Sequence, residues 1–475
     1  MAEPRDFDAV VVGSGPNGLA AAIALAQNGR SVLVIEARDT IGGGTRSAEL
    51  TLPGFHHDIC SAVHPLGAAS PFFRTLPLDE HGLSWIHPDA PVAHPLDDGS
   101  AVMLERSLEA TAAGLGPDAR AYTQMFGPLA RRWDDLADQI LGPLKLPRHP
   151  LFLARFGLKA LRSTTSLARS AFQTGRARAL FAGCSAHSIL PLTKPPTASF
   201  GLALAASAHA VGWPIPRGGS QKIADALGSY LKSIGGVIET GRRVESIAEL
   251  DGAGVVLFDT TPRQMIAIAG ASLSDSYRRR LEKFRYGPGV FKLDLALDGP
   301  IPWRATECTR AATVHVGGSL DDVAASESAP AEGRHAERPF VLVAQQSLFD
   351  DSRAPAGKHT VWAYCHVPSG STYDMGERIE SQIERFAPGF KDRIIGRAAM
   401  NCADFENYNA NYIGGDISAG AHSGLQFLAR PVLSLNPYRT SDPRLFLCSA
   451  STPPGAGVHG MCGYHAARAV IKSQS

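Results

Sequence analysis

Residues 8–44 read DAVVVGSGPNGLAAAIALAQNGRSVLVIEARDTIGGG, and this stretch decides the fold. It predicts a strand, a tight glycine turn, a helix and a second strand within about thirty residues, the beginning of a Rossmann-type α/β domain. Gly13 permits the turn, Gly15 lets the backbone approach a pyrophosphate, and Gly18 lets the helix pack closely on the strand. The helix predicted over 16–28 directs its free N–H groups and its positive dipole end at the phosphates. The stretch therefore predicts a dinucleotide site.

An acidic residue ends the second predicted strand. Glu36 lies eighteen positions after Gly18, where a carboxylate accepts hydrogen bonds from a ribose diol. A 2′-phosphate would be repelled there, which argues against NADP. The glycine pattern alone also occurs in turns of unrelated α/β domains. The valine strand, the alanine-rich helix and the acidic strand end together favour the nucleotide site.

Composition bounds the remaining classes of function. At 475 residues the chain predicts two or three domains, and its net charge of +1 gives no general affinity for nucleic acid. The seven cysteines are odd in number and form no CxxC pair, which argues against a disulfide framework or a structural zinc and favours a reducing cytoplasm. Residues 1–8 lack the basic segment of a signal peptide, and the first apolar run is too short to span a bilayer. We expect a cytoplasmic enzyme without a metal.

The charge is unevenly distributed along the chain. Residues 139–224 contain no acidic residue and eleven Lys or Arg residues. Within them, 151–180 interleaves Leu, Phe and Ala with cations at helical spacing, a pattern that favours peripheral contact with an anionic membrane. The alternatives are a basic face packed on the acidic remainder of the protein and a contact within a homo-oligomer. A polar segment over 319–339 predicts a mobile surface loop.

Another glycine-rich segment lies near the C-terminus, where residues 444–468 read RLFLCSASTPPGAGVHGMCGYHAAR. An apolar strand leads into Gly455 and Gly457 and then into a helix rich in small residues. This arrangement predicts a second helix N-terminus that faces the same long cofactor, near its redox ring.

Together with PRGGSQKIADALGSYLKSIGGVIETGRRVESI in the middle of the chain, these segments resemble the FAD-dependent phytoene dehydrogenase-related oxidoreductases, which share the fold of the flavin amine oxidases. The resemblance spans nearly the whole chain and implies an α/β fold with a discontinuous Rossmann-type FAD domain and a second domain of helices and mixed sheet. The implied FAD segments are 1–75, 214–290 and 425–475, and the implied substrate segments are 76–213 and 291–424.

The resemblance also implies roles for individual residues. It assigns the adenosine diphosphate portion of FAD to the first segment, the adenine to a strand containing Val244, and the isoalloxazine to the last segment. The familiar GGR pattern is replaced by three glycines and a threonine before Arg46, so that this arginine is displaced from its usual position. The candidate cofactor-binding residues are Gly13, Gly15, Pro16, Asn17, Gly18, Glu36, Arg38, Gly43, Gly44, Arg46, Val244, Gly457, Val458 and His459.

Hydride transfer from carbon to flavin N5 needs proximity and a dry pocket more than it needs acid–base groups. His459 is the candidate catalytic side chain, the alternative being that only its backbone faces the ring. We expect a hydrophobic, isoprenoid or lipid, substrate. A flavin amine or amino-acid oxidase and an FAD-binding protein without net redox turnover remain alternatives. No second GxGxxG follows a strand, so oxygen or a quinone is the expected electron acceptor.

Overall fold

The structure, a computed structural model, describes residues 3–474. Its strands are β1 Ala9–Val12, β2 Val32–Ile35, β3 Ser47–Glu49, β4 His56–Asp58, β5 Trp85–Ile86, β6 Ala90–Pro95, β7 Ala101–Leu104, β8 Ile215–Pro216, β9 Val237–Glu239, β10 Val255–Phe258, β11 Gly289–Leu297, β12 Ala311–Val316, β13 Val341–Ala344, β14 His359–Val367, β15 Ile394–Met400 and β16 Leu445–Leu447.

The α-helices alternate with these strands and with short 3-10 turns. They are α1 Pro16–Ala26, α2 Pro65–Ala68, α3 Leu108–Gly114, α4 Ala119–Arg131, α5 Trp133–Ile140, α6 Pro150–Ala160, α7 Thr164–Ala171, α8 Gly175–Ala186, α9 Ala198–Val211, α10 Gln221–Ser233, α11 Pro262–Ala269, α12 Asp275–Glu282, α13 Leu320–Ser328, α14 Gly376–Phe386, α15 Cys402–Tyr408 and α16 Met461–Gln474.

The first sheet is parallel and has the order β16-β10-β1-β2-β9. Its central strands are buried on both faces, as expected for a sheet that is covered by helices on each side. Helix α1 packs against both α10 and α16, so the three glycine-rich segments of the sequence meet at one side of this sheet. The mixed α/β architecture and the Rossmann-type sheet confirm the predicted fold class.

The second sheet has seven strands in the order β15-β11-β14-β13-β12-β6-β7. Its pairs are antiparallel except for β6 with β12. The turn between β6 and β7 is the hairpin that Asp98 and Gly99 predict. Helices α4–α9 together occupy most of residues 119–211, and α8 packs against β6 and β7 of this sheet.

Two predictions about local structure are wrong. Residues 320–328 form α13 instead of a mobile loop, because Ser319 and Asp322 cap its N-terminus reciprocally and Leu320 and Val323 are buried at helical spacing. The strand expected to contain Val244 ends at Glu239. Val244 follows in extended chain and is 6% exposed.

Candidate active site

A single cavity of about 1180 Å³ runs from the carboxyl ends of β1, β2 and β10 to the face of the seven-stranded sheet. All but one of the candidate cofactor-binding residues line it. The exception is Gly18, which lies beneath the cavity floor: a methyl group there would be 2.2 Å from the carbonyl oxygen of Gly13. The sequence therefore identified residues that the fold brings together, while their individual contacts with a ligand remain predictions.

The glycine turn after β1 has the conformation that its role requires. Gly13 has φ +103°, a left-handed value that other residues rarely adopt. A Cβ atom on Gly15 would be 2.6 Å from Oδ2 of Asp259, and one on Gly43 would be 3.0 Å from Cα of Gly15. The main chain is thus exposed to the cavity at the N-terminus of α1, where a phosphate binds favourably.

Glu36 is held in place at the end of β2 and is 7% exposed. Its carboxylate accepts hydrogen bonds from the backbone N–H of Ser14 at 3.1 Å and of Arg38 at 2.9 Å. Arg46 forms an ion pair with it at 3.2 Å and also donates to the carbonyl oxygen of Thr40. Arg46 therefore neutralises Glu36 and orders the glycine-rich loop, and these contacts account for its displaced position in the sequence.

The C-terminal loop supplies the opposite wall. His459 is fully buried, and its Nδ1 accepts the backbone N–H of Met461 at 3.0 Å, so that the ring caps the start of α16. Burial lowers its pKa to about 4, which keeps the ring neutral. Gly457 has φ +128°. The contact with Met461 gives the ring a structural function, and its catalytic role remains a prediction.

Several buried polar atoms at this end of the cavity lack a partner among the described residues. Oδ1 of Asn17, Oγ1 of Thr260 and Nδ1 of His64 are such atoms, and all three residues line the cavity. Buried polar groups are rarely left unpaired in native proteins, so these atoms point to a polar ligand. Together with the exposed glycine backbone and the ribose-binding position of Glu36, they fit a dinucleotide.

Asp259 lies in the middle of this site and was not among the predicted residues. It follows β10 directly, and its Oδ2 accepts the backbone N–H of Gly18 at 3.0 Å across 241 positions of sequence. Burial, with a contribution from Glu36, raises its pKa to about 7. The signal that could have identified it is an acidic residue at the carboxyl end of the buried strand VVLF, because such ends meet at the ligand crevice of a parallel sheet.

Beyond the dinucleotide end, the cavity widens into a part that we call the apolar chamber. Its walls come from the segment after α8, from α9, from β12–β14 and from the segment 413–428. The chamber is lined by His187, Ile189, Phe200, Ala203, Leu204, Trp213, Thr313, Leu342, Trp362, Tyr364, His422 and Phe427. Most of these side chains are apolar or aromatic, and none is acidic.

A row of histidines, which we call the histidine relay, begins in the chamber. Nε2 of His187 lies 3.0 Å from Nε2 of His315, and Nε2 of His94 lies 2.6 Å from the carbonyl oxygen of Gly318. His315 and His94 both direct Nδ1 toward Gly183: a methyl group on that glycine would be 2.6 Å from the first nitrogen and 2.8 Å from the second. Neither Nδ1 atom has a partner among the described residues. The row thus runs from the chamber to the loop that precedes α13.

The carbonyl at the far end fixes the tautomer of His94. Because the Gly318 oxygen only accepts, His94 donates through Nε2 and keeps a lone pair on Nδ1. The tautomer of His187 follows that of His315: when His315 carries its proton on Nδ1, its Nε2 accepts from Nε2–H of His187. Nδ1 of His187 is then a lone pair without a protein partner in the described part of the chain. Burial lowers the pKa of His187 to about 3 and that of His94 to about 4, so the rings are neutral.

The mouth of the cavity is formed by exposed leucines. Leu144, Leu161 and Leu428 line the cavity and are 76%, 59% and 46% exposed. We call the wider group the leucine patch: Leu144, Leu146, Leu151, Leu158, Leu161, Leu425, Leu428, Leu433 and Leu435, all exposed. Within residues 3–474, no helix is long and apolar enough to cross a membrane.

Only some of the cations in the basic segment 139–224 form ion pairs with acidic residues. Arg169 pairs with Asp321, Arg217 pairs with Asp351, and Lys145 pairs with Asp138. Arg148 and Arg155 are exposed and form no ion pair with any described residue. The segment therefore combines the two kinds of basic surface that the sequence left open, one packed on acidic residues and one unpaired beside the mouth.

Known proteins agree with this architecture. Residues 11–76 match the model of the NAD(P)-binding Rossmann-like domain. The rat pyridine nucleotide-disulfide oxidoreductase domain-containing protein 2 (Rattus norvegicus) is 25% identical over 98% of this chain and 94% of its own. A hydroxyneurosporene desaturase of Cereibacter sphaeroides is 26% identical over 97% of both chains.

Solved structures extend the agreement to the fold. An oxidoreductase of Methanosarcina mazei superposes with a TM-score of 0.66 at 16% identity, covering 98% of this chain and 99% of its own. A variant of putrescine oxidase superposes with a TM-score of 0.61 at 18% identity, covering 99% of both chains.

The Rossmann-type sheet, the dinucleotide end of the cavity and the adjoining chamber define a dinucleotide-dependent oxidoreductase. The chain is similar over nearly its full length to carotenoid desaturases and shares the fold of putrescine oxidase, and these similarities support an FAD-dependent oxidoreductase.

Proposed function

We propose that the protein binds FAD and dehydrogenates a hydrophobic, polyprenoid-like substrate. The observation that carries this proposal is the apolar chamber, which is continuous with the dinucleotide end of the cavity. The desaturase relatives, which match over nearly the full length of this chain, support the same class of substrate. FAD is favoured over NADP because the carboxylate of Glu36 lies where a 2′-phosphate would be repelled.

FAD, when bound, supplies the hydride acceptor at its N5 atom. The protein excludes water through the walls of the chamber and holds the dinucleotide by the main chain of residues 13–17 and by Glu36. Dehydrogenation of a CH–CH unit also releases a proton when the double bond forms. Nδ1 of His187 is the unpaired base in the chamber that we propose to accept it.

The histidine relay lets that proton move on from His187 to a second ring. When Nδ1 of His187 gains a proton, its Nε2–H can pass to Nε2 of His315 at 3.0 Å. As the final acceptor of the two electrons we propose oxygen or a quinone.

The leucine patch and its unpaired cations support a membrane source for the substrate. Exposed leucines at the mouth offer apolar area to the acyl boundary, and Arg148 and Arg155 offer charge to anionic headgroups. We propose that the protein docks on the membrane by this surface. The substrate then passes from the bilayer into the cavity and does not enter water. Within the basic segment 139–224, we propose that residues 144–161 contact the membrane. Residues 425–435, outside that segment, complete the docking surface.

Oxidation of a small amine is the second candidate because of the putrescine oxidase and cyclohexylamine oxidase structures of the same fold. The chamber offers an ammonium group no carboxylate, and its histidines are neutral. The test is anaerobic bleaching of the flavin in the loaded protein by C30–C40 polyenes in mixed micelles, compared with bleaching by soluble diamines and cyclohexylamine. Bleaching by polyenes, with products two mass units lighter, supports the proposal. Bleaching by amines alone overturns it.

A further inference from the structure

Asp259 lies at the glycine turn, beside the place where the pyrophosphate of a dinucleotide is expected. Its carboxyl group lies against the glycine turn, with Oδ2 hydrogen-bonded to the N–H of Gly18 at 3.0 Å and a further contact from the N–H of Gly15. Asp259 also lines the cavity, as do Asn17 and Thr260, whose side-chain oxygens are buried and unpaired. The N-terminus of α1 is therefore shared between a fixed carboxyl group and a ligand site that still lacks polar partners.

The groups around Asp259 offer it no compensating cation. The neighbouring charge that acts on it is the carboxylate of Glu36, which opposes its ionisation. From β16 and α16 it is faced by the thiols of Cys448 and Cys462, and burial raises the pKa of both, so they are neutral near pH 7. Arg46 is engaged by Glu36 and by the loop carbonyls. A dianionic pyrophosphate beside an ionised Asp259 would add a further like charge in a largely buried place.

We propose that Asp259 binds the pyrophosphate as a neutral carboxylic acid, with Oδ2 still accepting from Gly18 and the acid proton donated to a phosphate oxygen. Dinucleotide binding to this protein is then coupled to the uptake of one proton. The proposal rests on the proposed FAD cofactor, and Asp259 is a binding residue beyond those that the glycine motif identifies.

FAD affinity is expected to fall as pH rises, because an ionised Asp259 and the pyrophosphate are both negatively charged. Without ligand, the pKa of Asp259 is raised to about 7, so the acid form is already present below that pH. The bound pyrophosphate raises this pKa further, so above pH 7 the site must take up a proton to bind. FAD affinity is expected to be constant near pH 6 and to weaken about tenfold between pH 6 and pH 8.

The histidines of the cavity do not titrate in the pH range over which FAD binding is compared. Burial lowers the pKa of His64 and His459 to about 4 and that of His187 and His422 to about 3. All four remain neutral between pH 6 and pH 8.5. Asp259 is the group near the glycine turn whose pKa falls inside that range.

The experiment measures FAD binding to flavin-free protein by quenching of flavin fluorescence from pH 6 to pH 8.5. Calorimetry at pH 8 in two buffers of different ionisation enthalpy counts the protons taken up. Asp259→Asn is the matched variant, because its amide can accept from Gly18 and donate to phosphate without titrating. The full-length wild-type chain is compared with this variant after circular dichroism has shown both to be folded.

We expect the wild type to take up close to one proton at pH 8 and to lose about tenfold in affinity, and Asp259→Asn to do neither. The wild-type proton count alone decides the proposal if the variant does not fold. FAD binding with no proton uptake and no pH dependence would overturn the role of Asp259 while leaving the FAD cofactor intact. Failure of the folded wild type to bind FAD at any pH would overturn the cofactor itself.

Discussion

The two ends of the cavity are built from different parts of the chain. The dinucleotide end consists of main chain and short side chains that follow parallel strands, and its charges are held by local contacts such as Ser14 with Glu36. The apolar chamber consists of large side chains from α9 and from three strands of the other sheet. We propose that the first end recognises a constant ligand by backbone geometry, and that the second selects a substrate by shape and by the protons on its histidines. We therefore expect substitutions at the two ends to separate cofactor binding from turnover.

The largest expected effect is on turnover, from the chamber end. His187→Phe removes the proposed proton acceptor and keeps a ring against Trp213. We expect the rate of flavin reduction by a polyene substrate to fall by about 10²–10⁴-fold, the range for loss of a general base. FAD occupancy, read from flavin absorbance, should be unchanged.

His422→Phe is the matched control, because His422 also lines the chamber, but its hydrogen bond goes to the carbonyl of Ser188 and its ring packs on Phe200, away from the histidine relay. Its rate should stay within about tenfold of the wild type. Equal losses in both variants would mean that the chamber tolerates no change of shape, and would remove the case for the histidine relay.

The next effect is on cofactor binding, from the dinucleotide end. Gly18→Ala would put a methyl group 2.2 Å from the carbonyl oxygen of Gly13, so α1 must shift away from the turn. We expect FAD affinity to weaken on the order of 100-fold, from an overpacking cost of about 1–3 kcal/mol. Titration of flavin-free protein with FAD measures this.

Gly114→Ala provides the control in α3, where an added Cβ meets no atom within 4 Å. It should leave FAD affinity unchanged and raise stability by about 0.5–1 kcal/mol. A normal FAD affinity in Gly18→Ala would show that the turn adapts to the added methyl group. The backbone geometry of the dinucleotide end would then not determine FAD binding.

A smaller effect is expected at the mouth of the cavity. Arg148→Gln with Arg155→Gln removes two unpaired cations beside the leucine patch, each contributing about 1 kcal/mol to binding of anionic vesicles. Flotation with phosphatidylserine vesicles at low salt should show about 30-fold weaker binding. Arg169→Gln, whose cation pairs with Asp321, should bind like the wild type. If the wild type fails to float, or both variants lose equally, the patch is not a membrane dock.

The smallest effect concerns stability at acid pH. Burial lowers the pKa of His94, His187 and His315, so the unfolded chain takes up protons below about pH 6.5 that the native protein cannot. Stability contributed by these neutral rings is complete above pH 7 and declines as pH falls. We expect the Tm to drop by several degrees between pH 7.5 and pH 5.5.

His315→Gln should make that decline shallower by about 1.4 kcal/mol at pH 5.5, measured by denaturant unfolding at both pH values. His81→Gln, at a position where the ring contacts Ser229 and Tyr230 and no acidic group, should leave the slope as it is. An unchanged slope in His315→Gln would mean that the relay is protonated in the native state.

The difference between the two ends of the cavity also explains which site residues could be predicted from the sequence. Gly13, Gly15 and Glu36 were predictable because a tight turn and a close approach of backbone restrict the residue type at fixed spacing. The histidine relay was not, because His94 and His315 meet through the pairing of β6 with β12, and His187 reaches them only because α8 packs against the same sheet. The prediction of a loop at 319–339 ignored a local signal, the reciprocal cap of Ser319 and Asp322 before Leu320 and Val323.

The order of the first sheet has a consequence for synthesis of the protein. β16, which pairs with β10, and α16, which packs on α1, both belong to the last 31 residues of the 475-residue chain. On the ribosome, β10 emerges nearly two hundred residues before its partner and presents an open apolar edge during that interval. We expect the cofactor domain to close only after β16 has emerged and paired with β10, so that chaperones protect the waiting edge and the flavin is acquired late in maturation.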